Sequence, residues 1–231
     1  MVPAHGEAKV LDANVRLLHA HLSDGIGRPW RITIAENAST DATPAIADRL
    51  AAELPSVAVR HRREPGRGGA LREAWLASDA PLLAYTDADL STDLGGLAPL
   101  LDAIDPTIGA TAEMAIGSRL VDGASVERAP GRELTSRAYN VLVRAVLRLP
   151  FHDAQCGFKA IRADAARALL PQVADEGWFW DTELLTLAHR AGLQVDEVPV
   201  RWVEDPDSSV RVLSTALADL RGLARMATRR T

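Results

Sequence analysis

The stretch Leu82-Leu83-Ala84-Tyr85-Thr86-Asp87-Ala88-Asp89-Leu90-Ser91 places two carboxylates one residue apart directly behind a short apolar run. If the run is a buried strand, Asp87 and Asp89 stand at its carboxyl end, where open parallel sheets bind their ligands. Alternate residues at a fraying strand end can both turn toward one hard divalent ion carrying a diphosphate. Aspartates are also common in turns, where they hydrogen-bond local backbone, so the pair alone does not separate a metal site from a turn.

Working outward, the neighbouring segments alternate between two periodicities. Val10, Leu11, Val15, Leu18 and Leu22 have helical spacing, and Gly25 and Gly27 close that helix. Trp30 to Ala35 alternates as a strand around Ile32 and Ile34 and runs into a loop, Glu36 to Thr43, rich in capping residues. A helix over Ala45–Leu54, a strand over Val57–His61, a flexible glycine turn at 64–69 and a helix over Ala70–Ala77 lead into the Asp87 strand. This order implies βαβ units and a mainly parallel central sheet flanked by helices, the pattern of a nucleotide-binding α/β fold.

Downstream, Asp93–Ile104 reads as a helix, Met114–Ser118 as a strand and Arg132–Leu149 as a long amphipathic helix stopped at Pro150. A loop from Asp153 enters a strand ending at Ile161, and a short helix spans Ala163–Leu170. Asp181 is placed to cap a helix that Gly192 closes, before a strand over Leu193–Trp202. A last helix carries Leu213, Leu217, Leu220 and Leu223 on one side. No repeat or linker divides the chain, which reads as one domain over residues 1–231.

Composition limits the function. A hydrophobic fraction of 47% with 25% charged residues suits a chain with a sizeable core. The formal net charge of −5 argues against a nucleic-acid binder. The lone Cys156 allows no intramolecular disulfide, fits a reducing cytoplasm and reads as a small buried hydrophobe. No apolar run reaches the length of a membrane span, so a cytoplasmic chain, soluble or peripheral at the membrane, is expected.

Several motifs together resemble the family 2 glycosyltransferases of the GT-A fold, and among them the polyprenyl-phosphate group that includes dolichyl-phosphate glucosyl- and mannosyltransferases. Val2 to Glu7 is similar to the opening Pro-Ala-x-x-Glu segment, and Glu36 to Thr43 to the Asp-Asp-Gly-Ser-Thr-Asp-x-Thr loop, with Glu36-Asn37 in place of the acidic pair. Gly66 to Arg72 resembles the Gly-Lys-Gly-x-Ala-x-Arg turn, and Asp87-Ala88-Asp89 the metal motif. Asp153-Ala154-Gln155-Cys156-Gly157-Phe158-Lys159 and Gly177 to Leu185 complete the set. Only Met1 and Val2 precede Pro3, so the first strand is expected to be missing or shortened.

The resemblance implies a metal-dependent inverting transferase that moves a sugar from a UDP- or GDP-linked donor to an acceptor, polyprenyl phosphate first and a soluble or glycan acceptor second. A nucleotide-sugar-binding protein without catalysis is the reading from a different class. Mg2+ or Mn2+ suits oxygen ligands from Asp87, Asp89 and Ser91; Ser91 reads equally as a helix cap before Asp93. Pro3, Glu7, Glu36, Arg67 and Asp87 fall on the nucleotide-sugar side. Glu36 has a rival reading as a solvated loop carboxylate, and Asp41 reads as a cap.

Arg119 and Arg132 are expected to face the acceptor phosphate, since a guanidinium fork suits a phosphate monoester. Arg132 could equally be solvated. Lys159 and Arg211 are further phosphate candidates or surface salt-bridge partners. Asp153, then Asp181, are the carboxylates expected near the reacting centre. Trp178, Phe179 and Trp180 form an apolar wall or belong to the core. The arginines at 211, 221, 225, 229 and 230 could lay the last helix on an anionic membrane surface or serve its packing against the sheet.

Overall fold

The computed structural model describes residues 1–127, 130–204 and 212–229, the side chains of 130–136 and 212–217 excepted. The chain runs β1 (Val2–Ala4), α1 (Leu11–Gly25), β2 (Ile32–Asn37), α2 (Thr43–Glu53), β3 (Val57–Arg62), α3 (Arg67–Leu76), β4 (Leu82–Thr86) and α4 (Leu97–Asp102). It continues through β5 (Met114–Ser118), β6 (Ser125–Glu127), α5 (Pro130–Leu147), β7 (Phe158–Arg162) and α6 (Ala163–Leu169). The last elements are α7 (Trp180–Arg190), β8 (Val195–Pro199), β9 (Arg201–Val203) and α8 (Val212–Thr228).

Two ladders, β1-β2-β3 and β4-β7-β5-β8, meet edge to edge. Thr86 N–H donates to Met1 O at 3.1 Å and the Met1 nitrogen to Ala84 O at 2.6 Å, joining β1 to β4. The first strand is therefore present, three residues long, with Pro3 opposite Ala35 in parallel register. Strand β2 is buried along its whole length because helices cover both sheet faces, so its alternation is of residue type rather than of exposure.

The sheet is mixed. Strand β7 runs antiparallel to both β4 and β5, with Thr86 opposite Phe158 and Ile116 opposite Lys159. Apolar patterning carries no direction, which is why this reversal is invisible in the sequence. Its consequence is functional: the loop ahead of β7 is delivered to the carboxyl ends of β4 and β5. The expected strand over 193–202 also divides at Val200, β8 pairing with β5 and β9 with β6.

Side chains alternate between two cores. Leu83 and Tyr85 point into one that holds Trp75, Phe179, Trp180 and the apolar residues of α6 and α7. Ala115, Phe158 and Ala160 point into the other, against α1, α2 and α4. Every residue of α7 from Trp180 to Ala188 is buried, so Phe179 and Trp180 belong to the core and Trp178 stays exposed.

Glycine corrects two helix boundaries. Helix α3 begins at Arg67, inside the expected flexible turn, because a Cβ on Gly68 would come within 2.4 Å of Trp180 and only glycine lets the two segments pack. The segment after Asp93 opens with a 3-10 turn over Leu94–Gly96 before α4.

Helix α8 packs through buried Leu223 and Met226 and through ion pairs to the buried Glu183. Leu223 is buried and Leu220 is 48% exposed, while the side chains of Leu213 and Leu217 lie outside the described residues. Arg225 donates to the fully buried Glu183 at 2.8 Å, and Arg229 lies 3.5 Å from the same carboxylate, so these two arginines serve packing. Arg211 and Arg230 lie outside the described residues.

Asp219 on α8 is buried against Gln155, whose amide donates to it at 3.1 Å. Burial pushes its pKa up from 3.8 to about 6. The native state then holds the proton more tightly than the unfolded chain, a stabilisation complete below 3.8 and lost as pH rises through 6. A shift of that size corresponds to about 3 kcal/mol, so Asp219→Asn is expected to gain stability on the wild type between pH 4 and 8, by up to about that amount. Urea unfolding at the two pH values measures it.

Candidate functional site

Backbone chemistry at the end of β4 fixes the acidic turn. Asp87 N–H donates to Gly157 O at 3.2 Å, and Leu90 N–H closes back on Asp87 O at 3.2 Å. Leu90 adopts φ 51°, a left-handed conformation that costs a branched side chain about 1 kcal/mol. Asp89 Oδ1 accepts from Ser91 N–H at 3.0 Å. The helix-cap reading of Ser91 is overturned: Asp93 caps the following turn, accepting from Gly95 N–H at 2.8 Å.

The Asp87 carboxylate is held by Arg67. Its Oδ1 accepts from Arg67 Nη2 at 2.6 Å and Nε at 3.2 Å. A Cβ on Gly157 would lie 1.7 Å from Asp87 Oδ2. Gly157→Ala is therefore expected to push the carboxylate out of place at a cost of about 1–3 kcal/mol, read as a lowered unfolding temperature.

Beneath Asp87 lies a buried charge cluster. Arg67 Nη1 donates to Asp181 Oδ2 at 2.7 Å, and Lys159 Nζ stands 2.9 Å from Asp181 Oδ1, which also accepts from the Tyr85 hydroxyl. Lys159 donates to Cys156 O at 2.5 Å and is wholly inaccessible, so neither a surface salt bridge nor a direct phosphate contact describes it. Asp181 is likewise no cap. Phe179 occupies that position, and Asp181 points from the first turn of α7 into the sheet.

Burial alone would raise the Asp181 pKa, but Lys159 and Arg67 outweigh it and hold the carboxyl below its usual value. Burial also works against the Arg67 charge, and Asp87 leads the groups that overcome it. Arg67 further lies over two rings, 5.0 Å from Tyr85 and 5.1 Å from Trp178.

On the side of β1 and β2, Glu36 is buried rather than a solvated loop residue, because it is still part of β2. Its Oε1 accepts from Ser39 N–H at 2.7 Å, and its Oε2 lies 3.0 Å from His61 Nδ1. His61 Nε2 reaches Asp48 at 2.8 Å, and Asp48 first, then Glu36, raises the histidine pKa. Asn37 ties the neighbourhood together: its amide donates to Ala4 O at 3.1 Å and its carbonyl accepts from Gly66 N–H at 2.9 Å. Glu7 anchors the β1–α1 turn through its backbone, N–H to Thr43 Oγ1 at 2.8 Å. Asp41 accepts from Thr43 N–H at 3.0 Å from one residue ahead of the cap position, which Ala42 occupies with no side-chain cap bond, so Asp41 braces the entry to α2 without being its cap.

On the side of β5, Arg119 grips Asp153 with both arms, Nε to Oδ2 at 2.7 Å and Nη2 to Oδ1 at 2.9 Å. Asp153 is fully buried, and Arg119 overcomes the burial to keep it ionised. The guanidinium lies 5.5 Å from the Trp202 ring. Arg132 is on α5, but its side chain lies outside the described residues.

Thus Arg67, Asp87 and Asp181 are brought together, with Arg119 and Asp153 paired beside them and Glu36 on the far side of β1. Tyr85, His61 and Gly157 carry no role that the sequence alone marks, and Asn37 only a place beside Glu36; the register of β4 with β7 and of β2 with β3 sets them against the site. Among the described residues no group of three His, Cys, Asp or Glu side chains converges as metal ligands. The donors at the acidic turn are all oxygen, a guanidinium already occupies one of them, and Gly157 leaves room for the carboxylate. This set fits a hard divalent cation whose remaining ligands come from a diphosphate and water.

The architecture is that of the GT-A glycosyltransferases. The glucosyl-3-phosphoglycerate synthase of Mycobacterium tuberculosis, solved with UDP, superposes with a TM-score of 0.72 at 18% identity, over 100% of this chain and 79% of that one. Residues 1–170 match the family described as Glycosyl transferase family 2, and the chain belongs to that family. Glycosyltransferase AglD of Haloferax volcanii is 39% identical over 94% of the chain and 35% of its own length. The undecaprenyl-phosphate mannosyltransferase of Micrococcus luteus is 34% identical over 75% of the chain and 72% of its own. The dolichyl-phosphate β-glucosyltransferase of Saccharomyces cerevisiae is 26% identical over 88% of the chain and 66% of its own. The chain thus spans about a third of AglD and about two thirds of that yeast relative.

Proposed function

We propose that the chain transfers a sugar from a UDP- or GDP-linked donor to polyprenyl phosphate, with inversion at the sugar carbon. The observation that carries this is the acidic turn of Asp87 and Asp89, set between the Glu36 side and the Arg119–Asp153 pair. In support, relatives at 34% and 26% identity bear the names of transferases to undecaprenyl and dolichyl phosphate. The M. tuberculosis synthase has been crystallised with Mn2+ and UDP-glucose.

Asp89 and Asp87 would hold Mg2+ or Mn2+, with Ser91 beside them, and the bound ion would neutralise the leaving diphosphate. Pro3, Glu7 and Glu36 border the nucleoside, and Glu36 offers its remaining lone pairs to the base or ribose while Ser39 and His61 hold it still. Arg67 adds a positive charge toward the diphosphate. Arg119 and Arg132 meet the acceptor phosphate.

Asp153 and Asp181 act by charge and position. Each is committed to cations, and Asp153 keeps Arg119 oriented, so neither takes a proton from the acceptor. None is required, because a phosphate monoester loses its second proton near pH 6 and arrives as an anion. A lipid acceptor brings the chain to a membrane surface, and no described helix is long and apolar enough to cross one.

The test is transfer of radiolabelled sugar from UDP- and GDP-sugars with Mn2+. Labelled polyprenyl phosphate is expected. Label appearing only on a soluble acceptor would replace the lipid part of the reading, and nucleotide-sugar binding without transfer to any acceptor would replace the enzyme part.

A further inference from the structure

The charge cluster beneath the acidic turn does more than fill space. Arg67 places two N–H groups on one oxygen of Asp87 while its third arm is tethered to Asp181. Asp181 is itself neutralised by Lys159 at 2.9 Å, which leaves the guanidinium charge largely to Asp87. The Asp87 carboxylate thus already has a resident cation, in a pocket with a 10% exposed arginine side chain and an inaccessible lysine.

We propose that Arg67 is the counter-ion that a divalent metal must displace, so that metal and nucleoside diphosphate load together rather than one at a time. This inference rests on the metal reading of Asp87 and Asp89. A divalent ion reaching Asp87, whose side chain is 36% exposed, meets a fixed positive charge within a few ångströms on the buried side of the carboxylate. When a diphosphate arrives with the ion, the same guanidinium has an anion to turn to, and a planar fork suits phosphate oxygens. Asp181 keeps one arm in place, so the exchange needs a swing of the other two and no movement of α3. The coupling is reciprocal: the diphosphate strengthens metal binding by the factor with which the metal strengthens diphosphate binding.

Mn2+ uptake by the full chain, followed by the electron paramagnetic resonance of the free ion with and without UDP or GDP, tests this without reference to turnover. In the wild type the cognate nucleotide is expected to tighten Mn2+ by about tenfold or more. Arg67→Met is expected to bind Mn2+ about tenfold more tightly than wild type in the absence of nucleotide, and to show coupling lower by about that factor, the remainder coming from direct contact of the ion with the diphosphate. If the methionine variant does not fold, Arg67→Gln, which keeps a donor for Asp181, carries the same expectation. Equal nucleotide-free affinity in wild type and Arg67 variant overturns the inference while Asp89-dependent uptake survives. Uptake with nucleotide that is indifferent to Asp89→Ala overturns the metal reading beneath it.

Discussion

Alanine at Asp89 is expected to lower sugar transfer by about a thousandfold or more while leaving the fold intact. Asp89 is half-buried and accepts from the backbone N–H of Ser91 in its own turn. In the proposed reaction it is the principal protein ligand of the ion that takes up the charge of the leaving diphosphate. A metal contribution of about 4 kcal/mol to the transition state corresponds to three orders of magnitude in rate. Single-turnover transfer at saturating donor and Mn2+, beside a thermal unfolding curve, separates the two effects. A variant that unfolds early, or keeps more than a tenth of the activity, contradicts the assignment.

Breaking the Arg119–Asp153 pair is expected to cost stability as well as transfer. Asp153 has no solvent exposure, and its carboxylate accepts from the Arg119 guanidinium at 2.7 and 2.9 Å and from the backbone N–H groups of Arg119 and Gln155 at 3.1 and 3.3 Å. Arg119→Ala leaves the buried carboxylate with its two backbone N–H donors and no facing guanidinium, and breaking such a buried pair costs up to about 3–5 kcal/mol. The unfolding midpoint in urea should fall accordingly at pH 7. The loss should shrink toward acid pH, because a carboxyl held below its usual value by Arg119 stabilises the native state only where it is ionised. The double variant Arg119→Met/Asp153→Leu should recover stability without recovering transfer. Recovery of both would mean that the pair is structural alone.

The architecture was legible because strand and helix periodicities alternate at βαβ spacing, and the site's place was legible because Asp87 follows an apolar run. Strand β5 falls at its expected bounds. What the sequence hides is relational. Lys159 looks like any surface lysine until β7 is known to run antiparallel between β4 and β5, which puts its ammonium under Asp181. Asp181 looks like a cap because it precedes a helical pattern, and only the burial of α7 on all sides turns it inward. Glu36 looks solvated because serine and threonine follow it, although two further residues of β2 extend the strand past the last apolar position. In each case the deciding partner lies far away in sequence, where no local pattern carries its signature.

The role of the acidic turn is tested most directly by the binding of UDP- and GDP-sugars, followed by titration calorimetry in Mn2+ and in excess chelator. One nucleotide sugar is expected to bind with Mn2+, to lose most of its affinity in chelator, and to lose the metal dependence in Asp89→Ala. Binding that is equally tight with and without the ion, and unchanged by Asp89→Ala, would contradict it.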